Sequence, residues 1–416
     1  MTEPRDGQLM AELAHWRGAV ASLADLDTVA APAAWAMLED YLRLRLRDRL
    51  LASIRAVADE GAAIASQLDA GETPDVVRRR VLGLRSSYIQ VEAIVDFYGD
   101  AINTRTNPTL GAVLGGLDTI AVDSMEVLLR PLGIEVPPAL VWMDKGTGAA
   151  ILRAGVRLWG PGGPSPVAAI KLTRHNLGHP TALLHETGHQ VAHLTGWTDE
   201  LGDALLEELS PQSPEVAELW RSWRSEIAAD IHAFVLAGWA PVPALANVVD
   251  GTTPAVHRIR AGDPHPPGWL RVMLNVALCR RWFGAGPWDA LAAAWQQRHD
   301  PGRHSFAGAR VAAASLPLLP RVVAVCTDWP FAAFKGRPIH ALADPRRVAP
   351  PELAALAQRA GPSLLASRYL ARRESLRILA CLTASQSAEP AVQAAAVARL
   401  HKWLATLAPN PLPRAA

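Results

Sequence analysis

Leu38, Leu42, Leu46, Leu50 and Ile54 return at every fourth position among arginine and aspartate side chains. A four-residue step returns to nearly the same face of an α-helix, so this spacing predicts a helix with one buried apolar stripe. The helical character runs over residues 1 to about 130. A second apolar stretch, residues 110–132, opens after Asn107-Pro108 and closes at Gly133, which are natural start and stop signals. The pattern then changes at Pro137-Pro138. Two short runs, Ala139–Met143 and residues 167–172, are β-branched or aromatic in character, and Gly146, Gly148, Gly155, Gly160, Gly162 and Gly163 punctuate the chain between them. They predict strands of a small sheet. Helical patterning resumes after Pro180, and LAALAQRA, LLASRYLARRESLRILACL and AVQAAAVARLHKWLATL predict three or more short helices from Pro351 onward. These show no fixed period and hence no repeat array. The expected fold class is mainly α with a small β-sheet (α+β), organised as helical N-terminal residues 1–135, a central unit 136–300 and helical C-terminal residues 301–416.

Composition narrows the function classes. At 416 residues, half of them hydrophobic and 19% charged, the chain can bury a large core, and two or three packed units are the natural prior. A formal charge of +1 gives no reason to expect a nucleic-acid partner or an anionic surface. The tightest basic run, Arg78, Arg79 and Arg80, reads as a solvated face. The opening residues carry early acids and lack a signal-peptide apolar core, so export by that route is not expected. The most apolar segment, residues 311–325, is broken by Pro317, Pro320 and Arg321, so membrane insertion is not expected either. Cys279, Cys326 and Cys381 are widely spaced and odd in number. They fit core positions in a reducing compartment, and the expected location is cytoplasmic.

The most informative string is ALLHETGHQVAHLTGW, residues 182–197. His185 and His189 stand one helical step apart, so both imidazoles can converge on one ion, with Glu186 beside them. Chance places such a pattern in about 2 of 100 chains of this composition, so its surroundings must decide. In SEIAADIHAFVLAGW, Glu226 and Asp230 have the same four-residue spacing inside an apolar helix. Buried carboxylates require a cation. Glu226 is therefore the expected third metal ligand, and Asp230 the acceptor of a ligand histidine's free ring N–H. In DPHPPGWLRVML, His265 sits in a proline-stiffened loop. It is placed either to donate to an oxyanion or simply to cap and pack at a turn. His193 would close the open coordination position and is assigned a supporting role. Glu207 and Glu208 lack an aspartate four residues on. His175 and His179 fit the entrance, His232 lies on another helix face, and His257 has no motif around it.

Together the three strings resemble the gluzincin clan of zinc peptidases, in which H-E-x-x-H is followed by E-x-x-x-D. Within that clan the pattern is similar to the CAAX prenyl-peptidase family and its bacterial heat-shock relatives, through Glu226, Ala229-Asp230, and His265-Pro266 with Arg271. The resemblance spans residues 182–274. It implies a zincin-like catalytic unit, Arg271 as a supporting residue, and an edge strand along which an extended peptide lies, contacted by Val167, Ala169, Lys171 and Thr173. That family is membrane-embedded and this chain has no spanning pattern, so the family's substrate class does not carry over. Position 195 is Thr195, not a metzincin histidine, and no G-x-M-E-N string is present.

The expected function is a zinc-dependent endopeptidase. One zinc is held by His185, His189 and Glu226, Glu186 is the general base toward zinc-activated water, and a polypeptide is the substrate. Two alternatives share these residues: a zinc-stabilised helical scaffold without turnover, and a zinc hydrolase acting on a non-peptide amide or ester.

Overall fold

The leucine stripe becomes one side of a long helix. In this computed structural model, residues 4–146, 148–156, 165–384 and 389–409 are described; Gly160, Gly162 and Gly163, read above as breakers, lie outside them. Leu42, Leu46, Leu50 and Ile54 are buried along the helix Asp40–Asp69. Leu38 is buried just ahead of it, and the Glu39 carboxylate caps the first turn by accepting from Leu42 N at 2.9 Å. This helix packs against Pro74–Asn103, and Pro4–Leu23 packs on both. The three share one apolar core.

A three-stranded mixed sheet follows, formed by β1 (Ala139–Met143), β2 (Ala150–Leu152) and β3 (Ala168–Leu172). The order is β1-β3-β2: β3 runs parallel to β1, with Ala139 opposite Ala168, and antiparallel to β2, with Ile151 opposite Ile170. β1 and β3 lie where the sequence predicts strands, whereas β2 is short enough to escape its pattern. Alternation divides the side chains between two cores. Leu140, Val167 and Ala169 pack with the N-terminal helices, while Ala139, Val141, Ala168, Ile170 and Leu172 join the larger core on the opposite face.

A buried ion pair ties the layers together. Asp118 Oδ1 accepts from Arg105 Nη2 at 2.8 Å and from Val141 N at 2.7 Å, and the same Arg105 nitrogen donates to Val141 O at 2.6 Å. Asp118 belongs to the helix Pro108–Leu129, which starts on an Asn107 cap as its sequence predicts. On its far side lies the helix Pro390–Leu407, with Leu400, Trp403 and Leu404 buried. Gly116 meets the Leu404 carbonyl so closely that any Cβ would collide with it.

The larger core runs from Val113 to Leu404 and includes the helices that carry the metal motif, so the C-terminal helices share their packing with the central unit. Among the described residues one stretch, Ala307–Asp328, is long and apolar enough to cross a membrane. It consists of two helices, Ala307–Ser315 and Leu319–Asp328, joined by a 3-10 turn at Pro317. Half of its apolar window is packed inside the protein. The three cysteines are unpaired; Cys279 and Cys326 are buried.

Candidate metal centre

Three helices and one loop converge on the motif residues. Ala182–Thr195 carries His185, Glu186 and His189 and stops at Gly196, whose φ of 74° is left-handed and favours glycine. Arg224–Ala237 carries Glu226 and Asp230 and crosses it at Gly188. A Cβ on Gly188 would stand 2.8 Å from Ala229 Cα and 2.9 Å from His232 Cβ, so the two backbones touch there. His232 is fully buried and fastens the crossing by donating from Nδ1 to Leu184 O at 2.9 Å. Burial pushes its pKa down to about 4, leaving a neutral ring.

His185 Nε2 lies 3.3 Å from Glu226 Oε2, and His189 Nε2 lies 3.3 Å from Glu226 Oε1. One donor atom from each residue falls within 4.8 Å of the others, a group that can hold a metal ion. Two imidazole nitrogens and a carboxylate oxygen are ligands that divalent first-row ions accept. Glu226 Oε2 is buried and has no hydrogen-bond partner, because the imidazole contact at 3.3 Å is not aligned as a hydrogen bond. A buried carboxylate with one oxygen lacking a hydrogen bond, and with an inward-facing imidazole nitrogen beside each oxygen, is a donor set that a divalent cation satisfies. Burial raises the Glu226 pKa, but the imidazoles and Arg271 outweigh it and hold the group well below the usual carboxylate range, ionised as a ligand must be.

The outer nitrogens fix the rings. His185 Nδ1 lies 2.8 Å from Asp230 Oδ1, and His189 Nδ1 lies 3.3 Å from Ser225 Oγ. Once its Nε2 proton has left, donation from Nδ1 to Asp230 leaves the Nε2 lone pair of His185 facing the cluster. Asp230 is clasped in turn by Arg271, from the helix Gly268–Phe283, through Nε at 2.9 Å and Nη2 at 2.6 Å. Burial raises the Asp230 pKa, but Arg271 and His185 bring it down to about 2. Arg271 Nη1 also lies 3.6 Å from Glu226 Oε2, so this arginine balances both buried acids.

His265 is more exposed than the other rings, and its Nε2 points inward, 3.4 Å from Glu226 Oε2. Asp263 orients it, with Oδ1 2.6 Å from Nδ1 and 3.0 Å from the His265 backbone N. Glu186 is buried beside the cluster but outside the ligand triad. Burial raises its pKa against the pull of His185 and His189, which makes it a stronger base than an ordinary glutamate. His185, Glu186, Glu226, His265 and Arg271 line one cavity of about 430 Å³. Part of its lining is apolar and comes from the helix Pro241–Val249.

One expectation is overturned. Val167, Ala169, Lys171 and Thr173 do not form an edge, because β3 is the central strand and its backbone is paired on both sides. Val167 and Ala169 face the N-terminal helices, Lys171 donates to Lys145 O at 3.1 Å, and the buried Thr173 donates to Asn176 Oδ1 at 2.6 Å. None of the four lines the cavity. The edge strand on that side is β2, and Gly148 and Ala149 just ahead of it do line the cavity. His193 and His175 are exposed and outside the cluster, and Glu208 pairs with Arg321 at 2.7 Å. Asp263 and Ser225 were missed by the sequence reading; the Asp-x-His spacing of residues 263–265 was the available signal for the first.

No family model matches this chain, and no curated protein or solved structure matches it either.

Proposed function

We propose that this chain is a gluzincin-type zinc hydrolase that cleaves peptide bonds within a polypeptide. The observation that carries the reading is that one donor atom each from His185, His189 and Glu226 lies within 4.8 Å of the others while Glu186 stays outside the triad and lines the same cavity. Zinc, when bound, supplies Lewis acidity to a water and to the scissile carbonyl. Glu186 takes the proton as water adds and passes it to the leaving amine. His265, with Nδ1 held by Asp263, presents Nε2 toward the cluster, and in its doubly protonated form it donates from Nε2 to the oxyanion that develops on the former carbonyl. The extended substrate pairs with the free edge of β2, which adjoins the cavity through Ala149.

Glu186→Gln is the deciding experiment. It is expected to keep about one zinc per chain and to abolish cleavage of a peptide library; cleavage at the wild-type rate overturns the assignment. A second reading, hydrolysis of a small non-peptide amide or ester, is favoured by the cavity's size, about 430 Å³, which suits a compact ligand. A Glu186-dependent activity confined to such esters or amides, with every peptide refused, selects it.

A further inference from the structure

The cavity has a charged feature that the metal chemistry does not use. Arg258 and Arg260 line it with exposed side chains; among the described residues neither guanidinium makes a hydrogen bond or an ion pair within 4.0 Å, though the charge of Arg260 reaches the Asp263 carboxylate. The acids that share the cavity are engaged elsewhere or held for catalysis. Asp230 is clasped by Arg271, Glu226 completes the triad, and Asp263 Oδ1 is taken by His265.

The loop that carries the two arginines is anchored. His257, immediately before Arg258, is fully buried, donates from Nε2 to His299 O at 2.8 Å and stacks on Trp269 at 5.8 Å. Gly308 packs against the His257 carbonyl with no room for a Cβ. At the other end, Asp263 N donates to Arg260 O at 3.2 Å. The pinned loop brings two exposed cationic side chains into the same cavity that Leu245, Val248 and Val249 line. Two planar guanidiniums with no hydrogen-bonded partner, in a cavity that also has apolar lining, suit a carboxylate attached to an apolar segment.

We infer that Arg258 and Arg260 form a carboxylate-recognition subsite at the mouth of the metal cavity. The substrate therefore carries an acidic side chain or a free C-terminus close to the scissile bond. As a statement about substrate class this rests on the hydrolase reading, but the subsite itself can be tested without turnover.

The test measures binding to zinc-loaded Glu186→Gln protein by fluorescence anisotropy. The probes are four dansylated pentapeptides of one sequence, with Glu or Gln at the penultimate position and a free or amidated C-terminus. A charged form is expected to bind about tenfold more tightly than the neutral Gln amide. Which form gains identifies the source of the carboxylate. Adding Arg258→Gln and Arg260→Gln together is expected to bring the ratio to about one with zinc content and circular dichroism unchanged; each alone gives an intermediate ratio and serves if the double variant fails to fold. Equal affinities for all four peptides, or a preference that survives both substitutions, overturns the subsite. Glutarate titrated calorimetrically into the wild-type protein separates the two readings. Arginine-dependent glutarate binding without peptide binding or cleavage removes the peptidase reading and keeps the subsite. Peptide cleavage indifferent to charge, with no glutarate bound, keeps the peptidase and removes the subsite.

Discussion

The Asp250–His299 cluster and the His185–His189–Glu226 centre use the same residue types and differ in where the ring nitrogens point. His299 is buried, with Nε2 3.2 Å from Asp250 Oδ1 and Nδ1 3.1 Å from Thr253 Oγ1. Asp250 also accepts from Gly251 N at 2.8 Å and Arg298 Nη1 at 2.6 Å. Each polar atom has its own local partner, and no set of lone pairs is left facing a common point. At the metal centre Asp230 and Ser225 occupy the outer nitrogens, which turns both Nε2 atoms toward one carboxylate. A histidine beside an acid is therefore common structural cement, and convergence marks a metal site.

The largest effect that would break this contrast concerns the metal itself. Glu226→Ala is expected to drop bound zinc from about one per chain to background, read by plasma emission after dialysis; full retention would show that the triad is not the site. Next comes Asp230→Asn, which leaves the ligands in place but removes the acceptor that orients His185. Zinc affinity should weaken about 10- to 100-fold, measured by chelator competition.

The pH dependence of the same affinity sharpens the comparison further. In the metal-free chain burial lowers the His185 pKa, yet Asp230 and Glu226 outweigh it and hold the ring protonated well above the ordinary imidazole range. That proton must leave before the ring can bind a cation. Affinity should thus rise with pH, about tenfold per unit between about pH 6 and pH 8; a flat profile would contradict the protonated ring. The smallest effect belongs to the other cluster. His299→Ala should cost about 1–3 kcal/mol in denaturant unfolding and leave zinc stoichiometry untouched.

What the sequence revealed followed from local periodicity. Leu42 to Ile54 lie on one helix face, and His185 with His189 and Glu226 with Asp230 each stand one turn apart, so their side chains could be placed before any tertiary contact was known. The position of β3 could not be read that way. Its apolar residues suit a buried strand at an edge or at the centre alike, and the choice depended on β2, a three-residue strand with almost no pattern of its own. The segment limits at 135 and 300 rested on composition. Yet Gly116 fits the Leu404 carbonyl from far along the chain, and one apolar core spans Val113 to Leu404, contacts that composition does not encode. Asp263 was overlooked because a short loop has no period to reveal its facing.

Gly188 has a consequence for how far the candidate ligands are organised in advance. Because its backbone rests directly on Ala229, the width between the two ligand-bearing helices is set by van der Waals contact before any ion arrives. The separation of His185 and His189 from Glu226 is thereby set by the protein's own packing and does not wait for an ion to draw the helices together.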